Sequence, residues 1–409
     1  MKILTLSILL SASLFAQDLS LTNNRWRTEE AINKFRFALN YGVNEPMHAY
    51  GEKRFYVNDF FEIAYGVVVS RENDVGATFE RPDFPLFSTG RFYQGEFIFN
   101  YKTLKVNLGR HLHDLDPIRQ NSVWNQNRLT GDGITWSWDF IENWRFEHSI
   151  EYLPAGKDAN NYVFDRILNY HSMTWKGEKL SFLFGEMSLY TGINQELNWQ
   201  RSNPVLPYVL NTFDSFDKKA PGYVGDNENH IFVFRLDYTF TDKMEVKSYL
   251  YLDEFQIDAA DRETHADIYL WLNEIYYRHN DNLRTSLTFS LANPAMGWHP
   301  GPFTTYTTYQ YELLPHAFGE ISRVELKLHA HQNKFESYIS TGVLHKVIVD
   351  PLQPNLNRHA VQDALEKVTI TSFDVKTGYY IKQNLALWFH YSVASDHKPI
   401  YNLILQTYF

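Results

Sequence analysis

Apolar and polar residues alternate with a period of two along most of the 409-residue chain. Phe61, Ile63, Tyr65, Val67 and Val69 share one phase, against Glu62, Ala64, Gly66 and Val68 on the other. Tyr93, Gly95, Phe97, Phe99 and Tyr101 repeat the pattern against Gln94, Glu96, Ile98 and Asn100. So do Trp144 to Tyr152, Phe232 to Phe240 and Leu283 to Leu291. This period predicts strands with one apolar and one polar face. A soluble sandwich would turn the apolar face to a core, whereas a membrane barrel turns it to lipid and the polar face to the lumen.

Loop lengths favour the barrel. Tight connections recur at Tyr101-Lys102-Thr103, Ile141-Glu142-Asn143, Lys176-Gly177-Glu178, Thr241-Asp242-Lys243, Asn280-Asp281-Asn282 and Gln332-Asn333-Lys334. Long ones lie between them, at 71–90, 111–131, 191–229, 255–267, 292–319 and 346–366. Strict short–long alternation is what tight periplasmic turns and long outer loops require. The last strand agrees: Tyr401, Leu403, Leu405, Thr407 and Phe409 fall on one phase, and an aromatic final residue suits recognition by the barrel insertion machinery. The expected fold class is therefore an all-β, transmembrane antiparallel β-barrel with long outer loops and room for a loop or helix plug.

Roughly 17 strands are legible between Lys34 and Phe409, and single-chain barrels carry an even number, so about 18 strands are expected, with about 16 as the fallback. If Phe409 ends in the periplasm, this count makes the strand at 34–41 run inward. Its missing partner would then come from 18–32.

The N-terminus sets the compartment. Lys2, the short apolar run Ile3 to Leu14 and the small residue Ala16 before a polar stretch have the form of a secretory signal. The run is too short for a spanning helix, which needs about 20 residues. Residues 1–16 are expected to be a cleaved signal peptide and residues 17–409 the outer-membrane barrel. No second long apolar run follows, so a helical membrane protein is excluded. Aromatic residues make up 16%, with 27 Tyr, 30 Phe and 10 Trp, enough for girdles at both membrane interfaces. There is no Cys, hence no disulfide framework and no lipid-anchored cysteine. A net charge of −10 argues against nucleic acid. The partners expected from this much are outer-membrane lipid and lipopolysaccharide.

Few constellations carry chemistry. His111-Leu112-His113-Asp114-Leu115-Asp116 has the composition of a divalent-metal site and equally that of a polar loop at a barrel mouth. No metal or cofactor is assigned. Ser172 beside His171, and Ser322 with His329, are the available hydrolase-like pairs, but neither sits in a motif, and no enzyme is expected. Glu62, Glu96, Arg145, Glu147, Glu151, Arg235 and Asp237 fall on the inward phase. Their mixed signs suit a selective lumen, as in a porin or substrate-specific channel, and equally a barrel whose interior charges pair with a plug. Arg110, Arg119, Trp124, Arg128, Trp199, Arg201 and Trp298 lie in or beside long loops. Arg with aromatic rings makes a reasonable saccharide surface, because rings stack on sugar faces and guanidinium donates to hydroxyls.

The loops also resemble a known family. Leu108-Gly109-Arg110, a long loop, then Arg128-Leu129-Thr130-Gly131-Asp132-Gly133-Ile134 resembles the capsule assembly protein Wzi family. So do Leu197-Asn198-Trp199-Gln200-Arg201-Ser202-Asn203-Pro204, Asp226-Asn227-Glu228-Asn229-His230, Tyr251-Leu252-Asp253-Glu254-Phe255, Asn293-Pro294, Thr304 to Tyr311 and His316-Ala317-Phe318-Gly319. The resemblance implies an 18-stranded barrel plugged by loops and short helices. It also implies a surface lectin that binds capsular polysaccharide or another surface glycan and helps assemble or retain the capsule. Multivalent capture would be the mechanism, several weak loop sites adding to avidity. On it, Arg110, Arg119, Trp124, Arg128, Trp199, Arg201, Asn203, Asn227 and Trp298 are the expected glycan contacts. The sequence departs from the family at its N-terminus, where 18–32 leaves room for two turns of helix at most.

Overall fold

The computed structural model describes residues 36–43, 48–70, 79–80, 89–112, 130–157, 163–192, 203–205, 228–254, 268–294, 296, 307–308, 311–312, 319–348, 366–382, 385–396 and 398–408. Among them every regular element is a strand. In chain order these are β1 (Arg36–Val43), β2 (His48–Tyr56), β3 (Phe61–Ser70), β4 (Phe79–Glu80), β5 (Thr89–Tyr101), β6 (Leu104–Leu112) and β7 (Thr130–Ile141). Next come β8 (Trp144–Lys157), β9 (Val163–Lys176), β10 (Leu180–Gly192), β11 (Glu228–Thr241), β12 (Met244–Glu254), β13 (Ile268–Asn280) and β14 (Leu283–Ala292). The chain ends with β15 (Thr307–Thr308), β16 (Tyr311–Glu312), β17 (Glu320–Gln332), β18 (Phe335–Val347), β19 (Lys367–Lys382), β20 (Leu385–Ala394) and β21 (Ile400–Tyr408).

One 19-stranded sheet contains all of these except the small β15–β16 pair. The two residues of β4 only append to β5, which leaves eighteen strands, each paired antiparallel with its neighbours in sequence. The sheet returns on itself where Arg36 of β1 faces Tyr408 of β21 and Val43 faces Tyr401. Closure satisfies every edge, which a sheet in lipid must do. The chain is therefore an antiparallel β-barrel of about the strand number expected.

The starting point needs correction. Because β1 is antiparallel to the inward-running β21, β1 runs outward from the short-turn end, not inward. Its second neighbour is β2, with Arg36 opposite Glu52 and Asn40 opposite His48. With β2 on one edge and β21 on the other, β1 needs no partner from 18–32, which lies outside the described residues, and all eighteen strands fall between 34 and 409. The short–long alternation is also looser than expected. Long connections dominate one end, but those at 44–47, 158–162 and 395–399 at the same end are short.

The opposite end carries only tight turns. Several strands slip register just before them, between Asp139 and Ile141, Thr239 and Thr241, Arg278 and Asn280, and Tyr380 and Lys382. Lys102, Asn143 and Asn333 occupy the left-handed region there, with φ of 50°, 68° and 55°. Asn tolerates that conformation through its short polar side chain.

Alternation around the closed ring assigns the faces. Phe97, Leu108, Phe184, Trp271, Val324, Leu326, Phe373 and Phe389 point outward and are exposed, as lipid-facing residues are. Glu62, Glu96, Arg145, Glu147, Glu151, Arg235 and Asp237 share the opposite, lumenal phase, as the sequence predicts.

Candidate functional site

The barrel interior holds the chemistry, and it divides into sectors. On β8–β14 an apolar cluster faces inward near the long-loop end. Leu168, Leu189, Ile231, Leu270 and Leu272 are at most 1% exposed. Tyr249 and Tyr251 stack beside them with centroids 6.4 Å apart. Met296, beyond the end of β14, is fully buried in the same cluster, and its amide donates to the Asn293 carbonyl. Burying each such side chain is worth about 1.5–3 kcal/mol, so this sector behaves as a dry core.

Towards the short-turn end the same strands change character. Inward positions become partly exposed and carry alternating charge. Arg145 holds Asp139 at 2.6 Å and lies 3.8 Å from Glu147. Arg235 pairs with Asp237 and lies over the Tyr249 ring at 5.3 Å. Lys247 is 3.7 Å from Glu245. These pairs balance one another, so this part of the lumen presents polarity with little net field.

The third sector is a hydrogen-bonded network on β17–β21. The Glu336 carboxylate accepts from the Tyr338 hydroxyl at 2.6 Å and the Tyr380 hydroxyl at 2.5 Å, and His329 Nε2 lies 2.9 Å from it. His329 stacks on Tyr338 with centroids 4.3 Å apart. Tyr380 meets Trp388 edge-on at 5.9 Å, and Lys376 Nζ sits 5.1 Å over the same indole. A Cβ at Gly378 would overlap the Trp388 ring, so only glycine lets the indole lie against that strand. One strand further, His390 Nε2 is 2.6 Å from Asp374 and its Nδ1 is 3.3 Å from Asn402. Nearer the long-loop end, buried Glu320 binds Ser290 and lies 3.8 Å from Arg323, while Lys327 is 3.6 Å from Glu325.

A fourth cluster breaks the outward pattern. His148, His171 and Glu186 sit side by side on the outward phase of β8, β9 and β10. His171 Nε2 is 3.5 Å from Glu186, which is 1% exposed, and His148 lies against Trp136 at 5.7 Å. An ionisable group there is costly in hydrocarbon, so this stretch of wall is covered and not bathed by lipid.

Of the expected glycan contacts, Arg110 and Asn203 fall among the described residues. Arg110 stands on the outward phase of β6 and holds Asp132 of β7 through two bonds, at 2.8 and 2.5 Å. Asn203 Oδ1 accepts the Val205 amide at 3.0 Å, closing a local turn. Arg119, Trp124, Arg128, Trp199, Arg201, Asn227 and Trp298 lie outside the described residues, as do 113–116 and residues 1–16, where a signal peptide is expected. The hydrolase-like pairs are split: Ser172 faces the lumen and His171 outward, while Ser322 faces outward and His329 inward. Among the described residues no three His, Asp or Glu are placed to hold a metal. The Glu336 network escaped sequence reading because Tyr338, Tyr380 and Trp388 occupy inward positions that a binary apolar–polar pattern assigns to lipid.

No protein-family model matches the sequence, and no curated protein is detectably similar to it. Solved structures do match in fold. The Escherichia coli outer-membrane protein Wzi, described as involved in group 1 capsule assembly and as a carbohydrate-binding β-barrel, aligns with a TM-score of 0.55. It shares 10% identity, over 97% of this chain and 89% of Wzi. Pseudomonas aeruginosa OpdK, solved with vanillate, aligns at 0.54 with 9% identity, over 92% and 97%. Pseudomonas aeruginosa OccK8 (OprE) aligns at 0.54 with 8% identity, over 92% and 96%. These likenesses support one fold and one location: the chain is a β-barrel of the outer membrane.

Proposed function

We propose that this barrel binds surface polysaccharide, helping to assemble or retain the capsule, and that its long loops make the contacts. The observation that carries this reading is the dry inward face of β8–β14 at the long-loop end, where Leu189, Leu270 and Leu272 are fully buried and Met296 packs among them. Water-filled pores have polar, wetted walls, whereas a filled outer mouth leaves recognition to the loops. Arg110, Asn203 and the loop residues Arg119, Trp124, Arg128, Trp199, Arg201, Asn227 and Trp298 are the proposed contacts. The fold likeness to the carbohydrate-binding barrel supports the reading. No reaction is assigned to the chain.

A second reading, a substrate-specific channel, draws on the partly exposed, charge-paired inward positions at the short-turn end and on the fold likeness to OpdK. Bilayer conductance separates the two. A silent barrel that retains capsular glycan on a column supports the lectin. A large, steady conductance blocked by a small solute overturns it in favour of the channel. Unchanged capsule retention in a deletion strain also overturns the first reading.

A further inference from the structure

The outward rim at the short-turn end is a nearly continuous belt of large rings. Phe55, Phe61, Tyr101, Trp138, Phe182, Tyr238, Tyr277, Phe335 and Tyr379 are all at least 38% exposed. Such a belt marks the level of lipid headgroups. Among the described residues it gives way to smaller side chains at β20–β21, with Leu385, Leu387, Leu405 and Thr407, and again from β14 onward. Leu283, Ala330, Ser337 and Thr377 follow one another in register across β14, β17, β18 and β19. The two hydroxyls at the end of the row bind each other at 3.1 Å.

The missing bulk leaves a notch of about 540 Å³, open to the outside. Leu283, Ala330 and the edge of Phe335 form its apolar part, and Asn280, Asp281, Asn282, Gln332, Ser337 and the lumen-phase His331 its polar part. The surrounding charge is mainly positive. Lys334 stands over Tyr379 at 5.9 Å, Lys243 projects from the turn before and Lys382 from the turn after, all exposed. Arg278 stands on the lumenal phase of β13, opposite Arg284, and its Nη2 donates to the Asp242 carbonyl at 2.8 Å. Asp242 and Asp281 are the opposing carboxylates.

We propose that this notch seats a single glycerophospholipid of the periplasmic leaflet, its phosphate at the Lys334 side of the rim and an acyl chain along the Ala330 furrow. Depth, polarity and charge agree on this occupant. The gap lies where headgroups lie, its apolar part points into the hydrocarbon, and its cationic margin attracts an anion. The proposal does not depend on whether the barrel is a lectin or a channel.

Full-length protein in mild detergent, incubated with phosphatidylglycerol and read by native mass spectrometry, tests it. The wild type should hold one persistent lipid adduct. Ala330→Trp with Ser337→Phe fills the furrow and should lower adduct occupancy by about tenfold. Lys334→Glu reverses the rim charge and should lower it by about fivefold while leaving the wall intact. Heat-dependent gel migration reports whether each variant is folded; if the double variant is not, Lys334→Glu alone decides. Equal occupancy in the wild type and the folded variants, or no retained lipid in the wild type, overturns the proposal.

Discussion

On β9–β14 the inward face holds Leu168, Leu189, Ile231, Leu270 and Leu272, whereas on β17–β21 it holds Glu336, Tyr338, Lys376, Tyr380 and His390. Both sectors face the same lumen and both are largely buried. They differ in what burial demands of them. Apolar side chains need only volume and contact, and they lose stability in proportion to the space left empty. Glu336 needs its two tyrosine hydroxyls and His329 in place, because a buried carboxylate without donors is costly. One sector is therefore specified by shape and the other by direction.

The comparison breaks most decisively if charge is placed in the dry sector. Leu270→Asp should cost about 3–5 kcal/mol, as an unpaired buried charge does, and should abolish the folded, heat-modifiable species in refolding from urea. An unshifted transition would show that the sector admits water. Leu189→Ala should cost about 2–4 kcal/mol by leaving a cavity, with the urea midpoint falling accordingly. In the polar sector, Glu336→Leu keeps the bulk but strands the Tyr338 and Tyr380 hydroxyls, at about 1–3 kcal/mol. Glu336→Gln retains an acceptor and should recover much of that loss, a rescue that a volume-controlled site would not show. The smallest effect belongs outside the lumen. Arg110→Ala removes a half-exposed pair with Asp132 and should change stability by less than about 1 kcal/mol. Its effect on glycan retention then reads the binding role without interference from folding.

Legibility followed the same division. The outward phase was plain in the sequence because Phe232, Phe234, Leu236, Tyr238 and Phe240 alternate with polar or smaller residues. The dry sector was not, since Ile268 to Leu272 are apolar on both phases and the period vanishes. Nor was the network around Glu336, whose tyrosines and tryptophan look lipid-facing until the register places them inside. The outward cluster of His148, His171 and Glu186 comes from three strands, and only their alignment brings it together.

By itself the sequence determined the class of fold, the outward face, the tight turns and an inward phase of mixed charge, since each depends on residues a few positions apart. Tertiary structure decided the partner and direction of β1, the burial of the inward apolar face on β8–β14, the Glu336 network and the thinning of the aromatic belt at β14 and β17. Those rest on register between strands distant in the chain. A period of two fixes which way a side chain points, but not what stands opposite it once the sheet has closed.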